Sequence, residues 1–249
     1  MSTRFLKFAL VVGFVLVSLC LLGAGADRLQ RPIALDRIGA GDLYVLEASG
    51  AITRIALSAK GFVFKGSFAL PANAYPTDVV SAQLFKRPTL LISSNDQKAG
   101  FVSEYSLEGR LVHWWAFRNG IAGLDVDPES HIVYVASSDA PDVFQIPLHP
   151  SKQALPSFAG TVLGARRLGP LICDVAKARL LLGDVGSGQL FELDLKTRKS
   201  RVLASDFGSP QALLISPASN VLYVADASRR KITAVRLKVE QNQLVAICD

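Results

Sequence analysis

The stretch NVLYVADASRRKITAVRL (residues 220–237) consists of two apolar runs separated by the short polar segment ADASRRK. The first of these runs, LYVAD, ends at Asp226 and has four similar runs upstream. They are LYVLE ending at Glu47, LLISS at Ser94, VYVAS at Ser137 and LLLGD at Asp184. The intervals between the five ends are 47, 43, 47 and 42 residues. A recurrence at this period predicts a repeat architecture in which each repeat is one supersecondary unit.

Each unit contains three further apolar runs around this one. One run precedes it, and one follows it and ends 11 residues later in the last three units, at Leu148, Leu195 and Leu237. The fourth runs are GFVFKGSFAL, RLVHWWAF, a weaker SFAGTVLGA, SRVLASDF and QLVAICD. Turn residues such as Asp-Pro, Ser-Pro, Gly and Asn separate the runs, so each unit is predicted to be four β-strands.

Four strands per repeat of this length are typical of a propeller blade. The sequence therefore predicts an all-β protein, a β-propeller with five four-stranded blades, in which RPIALDRI supplies the first strand. Six blades remain an alternative if the region 155–168 contains additional strands. The runs are apolar on both faces, since Leu222 and Val224 point to one side and Tyr223 and Ala225 to the other. That pattern fits sheets packed between neighbouring sheets.

The first 26 residues have the pattern of an export signal. Arg4 and Lys7 precede an uncharged run from Phe8 to Leu22, and the small residues Gly-Ala-Gly-Ala follow before Asp27. We expect a hydrophobic signal helix that is cleaved after residue 26, which would leave residues 27–249 as a single propeller domain, either periplasmic or secreted. The alternative is a membrane anchor formed by residues 8–26.

The charge balance narrows the class of partner. The full chain has 27 Lys and Arg against 21 Asp and Glu, and residues 27–249 retain 25 against 21. This mild excess of positive charge does not indicate a nucleic-acid-binding protein, so no nucleic-acid partner is expected.

Three segments resemble repeats of the NHL, YVTN and gluconolactonase-like propeller superfamily, which also includes strictosidine-synthase-like proteins. These segments are GIAGLDVDPESHIVYVAS, SPQALLISPASNVLYVADASRRKITAVRL and AYPTDVV. The resemblance covers nearly all of residues 33–249 and implies the fold more strongly than any activity, because one fold carries many functions.

Gluconolactonase-like members hold a divalent metal with residues at the starts of the innermost strands. The corresponding positions here make Asp78, Asn119 and Gln211 the candidate catalytic residues at the mouth of the central channel. However, Gln211 stands where an acid is common, and the early Gly-Glu-Gly-Pro motif is absent. A hard cation prefers several oxygen ligands that include carboxylates. One acid and two amides make a poor set, so neither a metal nor another cofactor is expected.

Cationic residues occur at several predicted turns. Arg229, Arg230 and Lys231 follow the second strand of the last blade, and Arg166 and Arg167 precede the first strand of the fourth blade, so both clusters are predicted at one end of the blades. These five residues are the candidate partner-binding residues. The favoured interpretation is an exported, non-catalytic propeller that binds a protein, peptide or glycan through one rim. The alternative is a gluconolactonase- or lyase-like enzyme acting at the channel mouth.

Overall fold

The computed structural model describes residues 29, 31–38, 42–58, 61–149, 153–216, 220–240 and 243–248. The predicted signal helix and its cleavage site lie outside the described residues. Among the described residues no helix is long and apolar enough to cross a membrane. The chain divides into two compact units, residues 1–121 and 122–249.

The first unit contains two four-stranded antiparallel sheets, each built from strands that are consecutive in the chain. The first sheet comprises β1 (Pro32–Ile38), β2 (Asp42–Glu47), β3 (Ala51–Ser58) and β4 (Gly61–Ala69). The second comprises β5 (Tyr75–Leu84), β6 (Arg87–Asn95), β7 (Gly100–Tyr105) and β8 (Leu111–Phe117).

The second unit contains three more sheets of the same kind, and the unit boundary falls at the first residue of β9. The third sheet comprises β9 (Ile121–Asp127), β10 (Ile132–Ser137), β11 (Asp142–Pro147) and β12 (Ser157–Thr161). The fourth comprises β13 (Leu168–Asp174), β14 (Arg179–Asp184), β15 (Gln189–Asp194) and β16 (Ser200–Ala204), with a short 3-10 turn (Val175–Lys177) after β13. The fifth comprises β17 (Pro210–Ser216), β18 (Val221–Asp226), β19 (Lys231–Glu240) and β20 (Gln243–Cys248).

The prediction of five four-stranded propeller blades is confirmed. In four blades the residue that ends the repeated run is also the last residue of the second strand. In the second blade it is the penultimate one, because β6 extends one residue beyond Ser94, to Asn95. The region 155–168 contains one whole strand, β12, and the start of β13, so it holds no sixth blade. The weak SFAGTVLGA pattern reflects a strand of only five residues, with Phe158 exposed on the outer edge of its sheet.

Blades within each unit pack through apolar faces. In the second unit, Leu181 and Leu190 of the fourth blade share one buried cluster with Leu213, Leu222 and Val235 of the fifth. The opposite face of the fourth blade packs on the third blade through a second cluster that includes Phe191 and Tyr134. Both faces of the sheet are therefore buried, which explains why its strands are apolar at successive positions rather than alternating. Full burial of each such side chain contributes about 1.5–3 kcal/mol.

The strand order determines which turns lie together. In an antiparallel sheet of consecutive strands, the connection between the second and third strands is at the same end as the connections to neighbouring blades. In the second unit this end includes four segments that follow one another in space, which we call the rim. The rim consists of residues 162–167, 184–188, 205–209 and 226–231.

Candidate functional site

Asp226 ends β18 and anchors the fifth-blade part of the rim. It is almost completely buried, and its carboxylate accepts hydrogen bonds from the amides of Gly208 at 2.6 Å, Ser209 at 3.0 Å and Arg229 at 3.1 Å. The hydroxyl of Ser228 donates a fourth, at 3.1 Å. Two of these donors belong to the loop that enters the blade, so Asp226 ties that loop to the hairpin as well as fixing the hairpin itself.

Asp184 makes the same arrangement in the fourth blade. Its carboxylate accepts hydrogen bonds from the amides of Arg166 at 2.7 Å, Arg167 at 2.8 Å and Gly186 at 2.9 Å. The hydroxyl of Ser187 donates at 2.6 Å. In both blades, therefore, one buried carboxylate holds two amides of the preceding loop, one hairpin amide and one hairpin serine.

Both carboxylates remain ionised near neutral pH. Burial raises the pKa of Asp226, but the amides of Gly208, Ser209 and Arg229 together with the Ser228 hydroxyl outweigh it and lower that pKa to about 2. The pKa of Asp184 is likewise below its ordinary value, since its four donors outweigh the effect of burial. Hydrogen bonds to an ionised acceptor are about twice as strong as neutral ones, so these two residues hold the rim firmly.

The residue at this repeat position makes different hydrogen bonds in different blades. Ser137 fixes its hairpin turn, since its hydroxyl accepts the amides of Asp139 and Ala140. Glu47 instead accepts a hydrogen bond from the Thr53 hydroxyl on the neighbouring strand, at 3.2 Å. A glutamate is one methylene longer than an aspartate, and here it reaches a side chain on the neighbouring strand.

A chain of backbone hydrogen bonds joins the rim segments to one another. The amide of Val185 donates to the carbonyl oxygen of Arg167 at 3.0 Å, and that of Phe207 donates to Gly188 at 3.0 Å. The amide of Ala227 then donates to Ser209, also at 3.0 Å. The two cationic clusters predicted from the sequence are therefore linked through a continuous, hydrogen-bonded backbone.

The five predicted partner-binding residues are all exposed on this rim, and they are Arg166, Arg167, Arg229, Arg230 and Lys231. Of these five residues, only Arg229 forms an ion pair with another described residue. This ion pair is long, since Arg229 Nε lies 3.8 Å from Asp226 Oδ2. Of the three carboxylates in the rim segments, Asp184 and Asp226 are buried and Asp206 is exposed. The accessible surface of the rim is thus predominantly cationic.

The three predicted catalytic residues are divided between the two units. Asp78 is in β5, and its Oδ1 accepts the amide of Val79 at 2.9 Å. Asn119 lies half-buried in the loop before β9. Gln211 is exposed in β17 and donates to the Ser209 hydroxyl at 2.9 Å. Asp78 and Asn119 belong to the first unit and Gln211 to the second, and their joint catalytic role stays a prediction.

Sequence reasoning missed a buried ion network in the fourth blade. Arg179 donates through Nε to Asp174 at 2.8 Å and through Nη1 to Glu192 at 2.7 Å, and Arg201 donates to the other oxygen of Glu192 at 3.1 Å. These four residues come from four successive strands of one sheet. Breaking such a buried network by removing one partner is strongly destabilising, so its role here is structural.

A second missed feature is a pair of aspartates that connect the first strands of adjacent blades. Asp36 in β1 accepts the amide of Ser81 in β5 at 2.7 Å, and Asp125 in β9 accepts the amide of Cys173 in β13 at 2.8 Å. The LD dipeptides at residues 35–36 and 124–125 were the available sequence signal. Among the described residues, no group of three or more His, Cys, Asp or Glu side chains is placed to hold a metal ion.

Comparison by sequence identifies no relative of the chain. No protein-family model matches it, and no curated protein sequence is significantly similar.

Comparison by structure confirms the expected resemblance at the level of the fold. A functionally unknown protein from Desulfotomaculum acetoxidans superposes with a TM-score of 0.62 at 10% identity, over 83% of this chain and 65% of its own length. A putative 6-phosphogluconolactonase from Bacteroides uniformis gives 0.64 at 14% identity, over 88% and 71%. A structure of a nidogen/laminin complex gives 0.62 at 14% identity, over 80% and 74%. This chain thus spans about two thirds to three quarters of these structures, and the likeness concerns the propeller fold.

Proposed function

We propose that the protein is an exported, non-catalytic β-propeller that binds a macromolecular ligand, a protein, peptide or glycan, through the cationic rim of its second unit. The observation that supports this proposal is the combination of exposed cations with a fixed backbone. The amides of Arg166, Arg167 and Arg229 all donate to buried carboxylates, while their side chains extend into solvent.

Such an arrangement favours binding because the backbone of the rim loses little conformational entropy when a ligand binds. Association loses free energy when loops must be ordered at the interface, and a pre-organised loop avoids that loss. The carboxylates that hold the rim are buried and each accepts four hydrogen bonds, so an incoming anion meets the exposed cations rather than the acids themselves. The rim therefore presents a stable positive surface at little conformational cost.

Binding can be tested by exposing the purified protein to an array of peptides and glycans. A rim variant replaces Arg166, Arg167, Arg229, Arg230 and Lys231 with Gln, which removes the charge and keeps a polar side chain with two of the methylene groups. A matched control replaces Lys196, Arg198 and Lys199, three exposed cations in the turn between β15 and β16 at the other end of the fourth blade.

We expect the protein and the control to bind the same array members, and the rim variant to lose them. A rim variant that keeps its ligands would contradict the proposal. The alternative enzymatic function is tested in parallel with a panel of lactones and esters, with Asp78→Asn as the variant. Hydrolysis that this substitution abolishes would favour the enzyme.

A further inference from the structure

We infer that the ligand of the rim is an acidic glycan, a linear saccharide chain bearing sulfate or carboxylate groups, which contacts both cationic clusters at once. This inference rests on the proposed function and specifies its ligand. The first cluster is Arg166 and Arg167, and the second is Arg229, Arg230 and Lys231.

The surface between the clusters is formed by residues 184–188 and 205–209, and at three glycines in it there is no room for a side chain. A Cβ at Gly188 would lie 1.9 Å from the Phe207 carbonyl oxygen, one at Gly208 would lie 1.8 Å from the Ser228 hydroxyl, and one at Gly186 would lie 3.1 Å from the Cβ of Arg166. Asp206 contributes the exposed carboxylate of this surface. The surface is therefore closely packed at the three glycines, so an extended chain can lie across them beside Asp206.

The rim offers few apolar anchors to a partner. Stable protein–protein interfaces bury a core of aromatic and apolar residues, and their binding energy concentrates on a few of them, among which aromatic residues are common and leucine is rare. The one aromatic side chain of the rim, Phe207, is buried at 7% exposure. One large apolar side chain of the rim is exposed, that of Leu163 at 73%. The rim therefore presents a single exposed leucine and no aromatic anchor to a folded protein partner.

A peptide partner would find many rim amides already occupied. Peptides are commonly recognised through main-chain hydrogen bonds with side-chain pockets, or through backbone nests that capture a terminal group. Six amides of this rim already donate to Asp184 or Asp226, and they are those of Arg166, Arg167, Gly186, Gly208, Ser209 and Arg229. The exposed cationic side chains, by contrast, remain available to a ligand.

The amino-acid composition of the two clusters indicates which anionic groups the ligand carries. Four of the five cations are arginines. The planar guanidinium presents donors in a fork that matches the paired oxygens of carboxylate and of tetrahedral oxyanions such as phosphate. A saccharide with repeated sulfate or carboxylate groups supplies such oxygens along an extended chain. We therefore assign the rim to a polyanionic glycan rather than to an acidic peptide.

The test measures binding of four defined probes to the purified protein by isothermal titration calorimetry. The probes are a heparin-derived sulfated oligosaccharide, a polygalacturonate oligosaccharide, poly-L-glutamate and a neutral dextran oligosaccharide. At least one acidic glycan should bind and dextran should not. If each of the five cations releases about 0.7 counterions on binding, the value for single-stranded nucleic acids, the affinity should fall roughly a hundredfold between 50 and 200 mM salt.

The variants separate the possible outcomes. The rim variant should bind the acidic glycan at least about tenfold more weakly, which corresponds to losing 1.4 kcal/mol, while the Lys196, Arg198 and Lys199 control should bind like the unaltered protein. Thermal unfolding of both variants confirms that they are folded. Binding of poly-L-glutamate without either acidic glycan would overturn this inference and leave the proposed binding function in place. Equal affinity of the rim variant and the unaltered protein would overturn both.

Discussion

At the residue scale, the position that recurs at the end of each second strand has different roles in different blades. In the fourth and fifth blades an aspartate of the right length reaches both the hairpin and the loop that enters the blade. In the first blade a glutamate reaches a threonine on the neighbouring strand instead. The same repeat position thus carries a carboxylate that joins two loops in the fourth and fifth blades and one that contacts a neighbouring strand in the first.

The ionisation of Asp226 predicts a specific dependence of stability on pH. Its pKa is about 2 in the folded protein against an ordinary 3.8, so the folded state binds fewer protons than the unfolded state between these values. The stabilisation is fully present above about pH 4 and is lost as the pH falls through about 2. We predict that the free energy of unfolding, measured with urea from pH 6 to pH 2, falls less steeply below pH 4 in Asp226→Asn.

The same substitution should also lower stability at neutral pH, by about 1.5–3 kcal/mol, because the Asn oxygen is a weaker, neutral acceptor and the Asn NH2 group cannot accept the hydrogen bonds that the other carboxylate oxygen receives. Asp206→Asn changes an exposed carboxylate in the neighbouring loop and serves as the control. Identical pH profiles for Asp226→Asn and the unaltered protein would show that Asp226 does not hold the rim in the way described.

At the scale of elements, the rim depends on how closely a hairpin and a loop approach each other. Gly188 ends the hairpin between β14 and β15, and its carbonyl oxygen accepts the amide of Phe207 from the next loop. Its φ is +68°, in the left-handed region, and a Cβ would overlap the Phe207 carbonyl. Both backbone conformation and space therefore require glycine at this position.

These two requirements can be separated by comparing two substitutions. Gly164 has a φ of +89° in an open part of the rim, where nothing lies within 4 Å of an added Cβ. Gly164→Ala should cost only the strain of the left-handed conformation, about 1–2 kcal/mol. Gly188→Ala should cost roughly 3 kcal/mol or more, because the loop must also move and its hydrogen bond weakens.

Urea unfolding of both variants provides the comparison, and equal losses of stability would mean that the approach of the two segments is looser than the structure indicates. Because Gly188 carries no charge, its substitution should weaken glycan binding only through displacement of the loop.

The elements themselves were largely predictable from the sequence, because their signal is repeated. Five similar runs at nearly constant intervals specify where the second strands end, and the turn residues between them delimit the others. The exposure of Arg166, Arg167 and Arg229–Lys231 at one end followed from the strand order alone. What could not be predicted is any contact that depends on side-chain length or on the approach of two loops, such as the capture of Gly208 by Asp226.

At the scale of the whole molecule, the ion network of the fourth blade is another set of contacts that could not be predicted from the sequence. Asp174, Arg179, Glu192 and Arg201 are spread over 28 positions of sequence, and no local pattern distinguishes them from exposed charges. Their meeting in one sheet depends on the register of four strands. The cationic rim, by contrast, was visible in the sequence because its residues lie next to one another, although its rigidity was not.

At the level of the whole molecule, we propose that the two cationic clusters form a single binding surface for a polyanion. A ligand that bridges two clusters gains affinity from each, since the second contact is intramolecular once the first has formed. Two separate sites would instead bind two ligands and would respond independently to substitution.

The most direct measurement is calorimetric titration of the heparin-derived oligosaccharide into three forms of the protein. These are the unaltered protein, Arg166→Gln with Arg167→Gln, and Arg229→Gln with Arg230→Gln and Lys231→Gln. We predict one oligosaccharide per protein in every case, with each pair or trio of substitutions weakening the affinity by about tenfold or more. Two oligosaccharides per unaltered protein, one of them lost with each cluster and the other bound as before, would contradict the claim.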